Sequence, residues 1–227
     1  MKTNDVICDS GVLISLTSAC LDNLLYFFSE NHGLRFVIPP SVEEEVVGRP
    51  MNNNLREHLF SSIRIKDAID DGVVVVVDAK VGEATRKIMN LANNLFYIRG
   101  KPLRLIQIGE TEMLAASKKL GIEHVLIDER TTRMLIEAPF VLKEHLEEEF
   151  RVNIMIDKKK FKELSAEIAP IKALRSSELV MLAYENGYFK RFQNSQKKAV
   201  EAALYKMRYS GCSIGYDEIS EYLSWVK

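Results

Sequence analysis

The 227-residue chain reads as an α/β protein: a three-layer α/β/α sandwich with a mostly parallel central sheet, followed by a helical C-terminal extension. Three observations carry that expectation. Short apolar runs alternate with helix-length segments through the first 156 residues, the rhythm of strands joined by helical crossovers. Twice, three apolar residues run straight into an acid: Val6-Ile7-Cys8 into Asp9, and Val125-Leu126-Ile127 into Asp128. Beyond Asp157 the texture changes to helical segments at about 160–168, 176–186, 195–210 and 216–225. The division expected is therefore 1–157 for the α/β unit and 158–227 for the extension.

Element by element, residues 4–8 form the first strand and 12–25 a helix with apolar residues at helical spacing. Residues 34–38 are a second strand, closed by Pro39-Pro40. Ser41 then serves as a helix N-cap, with Glu43, Glu44 and Glu45 in the first turn, where carboxylates suit the helix dipole. Asn52-Asn53-Asn54 is a loop, and Asp70-Asp71-Gly72 a turn into the strand 73–77. A helix over 81–96, a loop at 98–102 and a helix from Gly109 to Gly121 follow, the last ending on glycine as helices often do. Residues 122–127 form a strand running into Asp128, 131–150 a helix bent at Pro139, and 152–156 a last short strand.

Composition excludes several functions. Hydrophobic (47%) and charged (28%) fractions are those of a globular protein, and a net charge of -1 exerts no global pull on nucleic acid. Cys8, Cys20 and Cys212 form no Cys-x-x-Cys pair and read as reduced thiols. His32, His58, His124 and His145 lack zinc-ligand spacing. Asp9 and Ser10 interrupt the only N-terminal apolar run, and 73–77 is too short to span a bilayer. A cytoplasmic protein without a membrane partner is the expectation.

An aspartate at the end of a buried strand needs compensation, because burying an ionised carboxylate costs several kcal/mol. In an open parallel sheet the carboxyl ends of the strands form one rim where ligands bind. Asp9 and Asp128 stand side by side there if their strands are neighbours. Glu45 belongs near them, at the start of the helix after the second strand. So does Glu110, which shares a helix face with Met113, Leu114 and Ser117, whereas Glu112 lies on a more solvated stripe. Taken singly, each is explained as a helix cap or first-turn acid. Taken together, four converging carboxylates require a counter-charge, and oxygen ligands without His or Cys suit Mg²⁺ or Mn²⁺. Such a cluster serves phosphodiester hydrolysis.

The segments "VICDSGVLISL" (6–16), "IPPSVEEEV" (38–46), "IGETEMLAASKKLG" (108–121) and "VLIDERTTRML" (125–135) resemble, in order, those of the PIN-domain family of metal-dependent nucleases. The resemblance covers roughly the first 150 residues, and the third segment with its following strand and acid is its most specific part. It implies a PIN fold that binds Mg²⁺ or Mn²⁺ and cleaves RNA, with Asp9, Glu45, Glu110 and Asp128 as the metal-binding and catalytic acids. Ser10 matches the hydroxyl after the first acid. The tail is more loosely similar to the helical end of a prokaryotic subgroup. The resemblance implies single-stranded RNA as substrate and leaves room for the role of a toxin with a protein antitoxin, and for a homodimer.

The chain also departs from the pattern. Gly11 stands where a small polar residue is common, Glu129 competes with Asp128 for the fourth role, and the stretch between Val77 and Gln107 is long. Glu83, in "VGEATRK" (81–87), lacks a following strand and acid and reads as helix surface. Lys158, Lys159, Lys160 and Lys162 around Phe161, Lys190, Arg191, Lys197 and Lys198 around Phe192, and Arg99 with Lys101 are basic-aromatic groupings that could meet RNA or face solvent. Two other classes compete: a PIN-fold module that binds RNA or protein without cutting, and a phosphatase with Asp9 as nucleophile. The aspartyl-phosphate pattern needs a second Asp at position 11, which is Gly.

Overall fold

The computed structural model describes residues 4–53 and 55–226. In chain order, β1 (Asp5–Cys8), α1 (Ser10–Ser18), α2 (Asn23–His32) and β2 (Arg35–Ile38) come first. A helical stretch follows, built of α3 (Pro40–Glu43), a π-helical segment (Glu44–Gly48) and α4 (Arg49–Asn52). Next are α5 (Leu59–Asp70), β3 (Val74–Val76), α6 (Gly82–Asn93), β4 (Phe96–Ile98), β5 (Lys101–Pro102) and α7 (Ile108–Leu120). Then come β6 (His124–Leu126), α8 (Arg130–Glu137), α9 (Pro139–Phe150), β7 (Ile154–Ile156) and α10 (Lys158–Ile168). The chain closes with β8 (Lys172–Leu174), α11 (Ser176–Glu185), a 3₁₀ segment (Tyr188–Ser195), α12 (Gln196–Tyr209) and α13 (Tyr216–Trp225).

Five strands form one parallel sheet in the order β3-β2-β1-β6-β8. Side chains alternate across it, as the pleat dictates. Val6, Cys8, Phe36, Ile38 and Leu126 point into one core, which α1, α2, α5, α11, α12 and α13 complete. Ile7, Val37 and Val125 point into the other, filled by α6, α7, α8, α9 and α10. Helices thus cover both faces. A small antiparallel sheet, β5-β4-β7, sits on the second core through Phe96 and Ile154.

Several local outcomes differ from the sequence reading. The helix expected over 12–25 breaks in two. Cys20 adopts φ 57° there, and the Leu21 N–H reaches back to the Leu16 carbonyl at 2.8 Å, a left-handed C-terminal cap on a residue that is not glycine. Ser41 is not the N-cap: Pro39 holds that position and Pro40 is the first helical residue, where a missing N–H costs nothing. The stretch 98–102 belongs to the β4–β5 hairpin: Ile98 pairs with Lys101, and Arg99 and Gly100, both left-handed (φ 50° and 78°), make its turn. The bend at Pro139 does divide two helices. The C-terminal segment beyond Asp157 is more than helical through residue 226: β8 is an edge strand of the main sheet, parallel to β6. Among the described residues no single helix is long and apolar enough to cross a membrane.

Candidate active site

β1 is flanked by β2 on one side and β6 on the other, so the chain leaves β1 in one direction and later returns to its opposite edge. In open parallel sheets such a reversal marks the carboxyl ends of the strands as the place where ligands bind. Both acid-terminated strands deliver their acids to it. Cys8 pairs with Leu126, and the Asp9 N–H donates to the Leu126 carbonyl at 2.9 Å.

Asp9 is the N-cap of α1; its Oδ2 accepts the Gly11 N–H at 3.3 Å, and only 6% of the residue is exposed. Burial pushes its pKa up to about 7, the charges of Glu110 and Glu45 add to the rise, and the Gly11 and Ser10 N–H groups oppose it. Glu45 lies on the π-helical segment, a distortion that recurs at functional sites. The buried Ser10 hydroxyl donates to Glu45 Oε1 at 3.1 Å. Its neighbour Glu44 instead folds back over Gly48. A β-carbon at Gly109 would lie 3.6 Å from Glu45 Oε2, so α7 starts close against this carboxylate.

Glu110 is the third residue of α7, and its carboxylate accepts the Gln107 N–H in a capping box. Burial raises its pKa. The Gln107 N–H opposes that, and the charges of Glu129 and Glu45 add to it. Glu129 is exposed and caps α8, accepting the Thr131 N–H at 2.8 Å and the Thr132 N–H at 2.6 Å. Asp9, Glu45, Glu110 and Glu129 therefore form a chain of carboxylates whose charges act on one another.

Asp128 behaves differently. It is 2% exposed, and its two oxygens are taken by Ser176 of α11, one by the N–H and one by the hydroxyl, each at 2.8 Å. Its charge raises the thiols of Cys8 and Cys212. Of the two acids after β6, Glu129 acts on Glu110 and Asp128 accepts both of its hydrogen bonds from Ser176 of α11. Glu83 lies in the first turn of α6.

No lysine, arginine or histidine forms an ion pair with Asp9, Glu45, Glu110 or Glu129 among the described residues. A buried carboxyl with a raised pKa among uncompensated acids fits a hard divalent cation by charge and donor type. The side chains are not drawn into a cage: no three His, Cys, Asp or Glu groups of the described residues stand close enough to hold a metal ion.

Parts of the basic-aromatic groupings serve the fold. Lys160 donates to the Tyr97 hydroxyl at 2.9 Å, Arg191 lies 4.1 Å over the Tyr188 ring, and Lys197 donates to the Val226 carbonyl at 3.0 Å. Arg99 and Lys101 sit on the β4–β5 hairpin. The sequence reading passed over Arg130, Arg133 and Arg208, which line a cavity of about 490 Å³ beside α8. The visible signal was "ERTTR" (129–133), an acid followed by two arginines at helical spacing. No protein-family model, no curated protein and no solved structure matches this chain.

Proposed function

We propose that the protein is a PIN-like, Mg²⁺- or Mn²⁺-dependent ribonuclease that hydrolyses phosphodiester bonds of single-stranded RNA at the rim of its parallel sheet. One observation supports the reading: a buried carboxyl, Asp9, stands at the topological switch point with Glu110 and Glu45 acting on it, and among the described residues no cation pairs with any of them. The four sequence segments resembling the PIN family add the reaction class. Asp9, Glu45 and Glu110 would hold the metal, with Glu129 or Asp128 as the fourth acid. A bound divalent ion lowers the pKa of an attacking water and stabilises charge on the departing oxygen.

The residues around the acids have separable tasks. Ser10 orients Glu45 through its hydroxyl. The Gln107 N–H fixes Glu110 through the capping box. Asp128 tethers α11 to the end of β6.

The test is incubation of purified protein with single-stranded RNA, with Mn²⁺ and with EDTA. Cleavage is expected only with metal, and Asp9→Asn abolishes it while leaving RNA affinity within a few-fold. Metal-independent cleavage, or none across RNAs of varied sequence, overturns the reading. A second reading, a PIN-fold module that binds RNA or protein without cutting, is favoured by one observation: Ser176 occupies both oxygens of Asp128 and the acids do not form a ready ligand set. Binding without Mn²⁺-dependent cleavage selects it.

A further inference from the structure

α8 begins beside the acidic cluster and carries one wall of the arginine-lined cavity. It opens at Glu129 and Thr132, which adjoin Glu110. One turn on, Arg133 lines the cavity, with Arg130, His145 and Arg208 around it. Two acids reach the same space, and both are engaged. Glu137 pairs with Arg133 at 3.0 Å, and Glu218 pairs with Arg175 at 2.8 Å and accepts the Gly215 N–H at 2.8 Å. Two buried polar atoms of lining residues, Arg133 Nε and Ser213 Oγ, have no hydrogen-bond partner. One arginine donor and a hydroxyl left unsatisfied in residues that line a concave, roomy site, beside the guanidinium of Arg130, are what a phosphate group would complete.

Tyrosines adjoin the cavity. The Arg208 guanidinium lies 4.0 Å over the Tyr216 ring, Tyr216 stands 6.2 Å from Tyr205, and Tyr205 stacks on Tyr209 at 6.4 Å. Tyr209 is 70% exposed and Tyr216 51%. Exposed rings beside arginines are the platform on which unpaired bases stack. We infer that the cavity between α8 and the α12–α13 turn, with the Tyr205-Tyr209-Tyr216 ladder, is a subsite for single-stranded RNA. It takes a backbone phosphate among Arg130, Arg133 and Ser213 and bases on the tyrosines. This inference rests on the ribonuclease reading for the direction of the strand, toward Asp9 along α8, and names where that substrate is gripped.

The probe is a fluorescein-labelled single-stranded oligouridylate of 12 nucleotides, bound to the full chain in EDTA and followed by anisotropy over a salt series. Arg130→Gln with Arg133→Gln weakens binding about 10-fold and flattens the slope of log affinity against log salt by ~0.7, the value for one phosphate contact on a single strand. Tyr209→Ala, an exposed change, weakens it about 5-fold with the slope unchanged, and this loss disappears with an abasic oligomer of the same length. Unchanged affinity and slope in these variants overturn the inference, as does a wild-type protein that does not bind the oligomer. Variant-sensitive binding without Mn²⁺-dependent cleavage keeps the subsite and removes the nuclease. Cleavage with variant-insensitive binding does the reverse.

Discussion

At the scale of single residues, Asp9 serves two demands that conflict. As N-cap it must accept the Gly11 N–H, and as a 6%-exposed carboxyl beside Glu110 and Glu45 it is destabilised when ionised. Its folded pKa, about 7, lies above the ordinary 3.8. The folded state therefore holds this proton over a range where the unfolded chain has released it. The contribution of Asp9 to stability is full below pH 4 and is lost as pH rises through 7. Asp9→Asn keeps an oxygen for Gly11 and removes the charge. In EDTA at pH 8 it should stabilise the protein by on the order of 2–4 kcal/mol, a melting temperature higher by several degrees, with little change at pH 4. Mn²⁺ should raise the melting temperature of the wild type at pH 8 and not that of the variant. A variant less stable than wild type at pH 8 would show that the carboxylate is compensated within the protein.

The run of three glutamates gives a sharper test of geometry. Glu45 receives the Ser10 hydroxyl, whereas Glu44 covers Gly48. Glu45→Gln should reduce Mn²⁺-dependent cleavage about 100-fold, and Glu44→Gln should leave it within about 2-fold, both measured as kcat/KM on one RNA. In the sequence the only mark that separates Glu45 from Glu43 and Glu44 is the Val46-Val47 pair that directly follows it. The contrast between Asp128 and Glu129 was not legible, because the partner that claims Asp128, Ser176, lies 48 positions away. Long-range hydrogen bonds leave no local pattern.

At the scale of elements, α11 and α13 are fastened to the sheet's rim by one guanidinium. Arg175 is 5% exposed, bonds Glu178 and Glu218, and donates to the Ser213 carbonyl at 2.9 Å, while the Tyr222 hydroxyl donates to Glu178 Oε1 at 2.7 Å. Burial works against the charge of Arg175, and these carboxylates more than offset it. Burial also raises the Glu178 and Glu218 carboxyls, but Arg175 more than reverses that and holds both below the usual range. A lowered folded pKa gives stability that is present above the unfolded value and lost as pH falls through the folded one, so this fastening weakens in acid. Arg175→Ala strands two carboxylates and a tyrosine. It should cost about 3 kcal/mol, with hydrogen exchange accelerating first in α13 and α11. Uniform acceleration across the sheet would show that the cluster is not a local fastening.

The elements most faithful to the sequence are those whose signals are local. β1, β2, β3 and β6 follow apolar runs, and α7 ends on Gly121 at φ 68°. Those that departed depend on distant chain. β8 is three residues, Lys172–Leu174, with an exposed lysine and half-buried neighbours, and it exists because β6 offers a free edge. Nothing in so short a run distinguishes it from loop. The β4–β5 hairpin was hidden for a related reason: its Arg99-Gly100 turn is visible as a turn, but its strands need β7, which lies more than 50 residues on, to complete a sheet.

At the scale of the whole molecule, a chain that reads as a nuclease unit with a helical appendage has cores that do not divide that way. The face of the sheet carrying Val6, Cys8, Phe36 and Leu126 is covered in large part by Leu179, Val180, Val200, Leu204, Met207 and Ile219, all from beyond residue 157. Removing those side chains would expose one face of a parallel sheet, an arrangement that depends on being buried on both sides. It would also strip β6 of its edge partner and Asp128 of both its donors. A fragment of residues 1–157 should therefore fail to fold cooperatively. Expressed alone, it should show no sigmoidal urea transition and should bind a dye for exposed apolar surface, whereas adding residues 158–227 as a separate polypeptide should restore a transition. A fragment that melts sharply by itself, with Mn²⁺-dependent cleavage intact, would mean that α1, α2 and α5 suffice to close that face, and that the C-terminal helices pack on a finished nuclease.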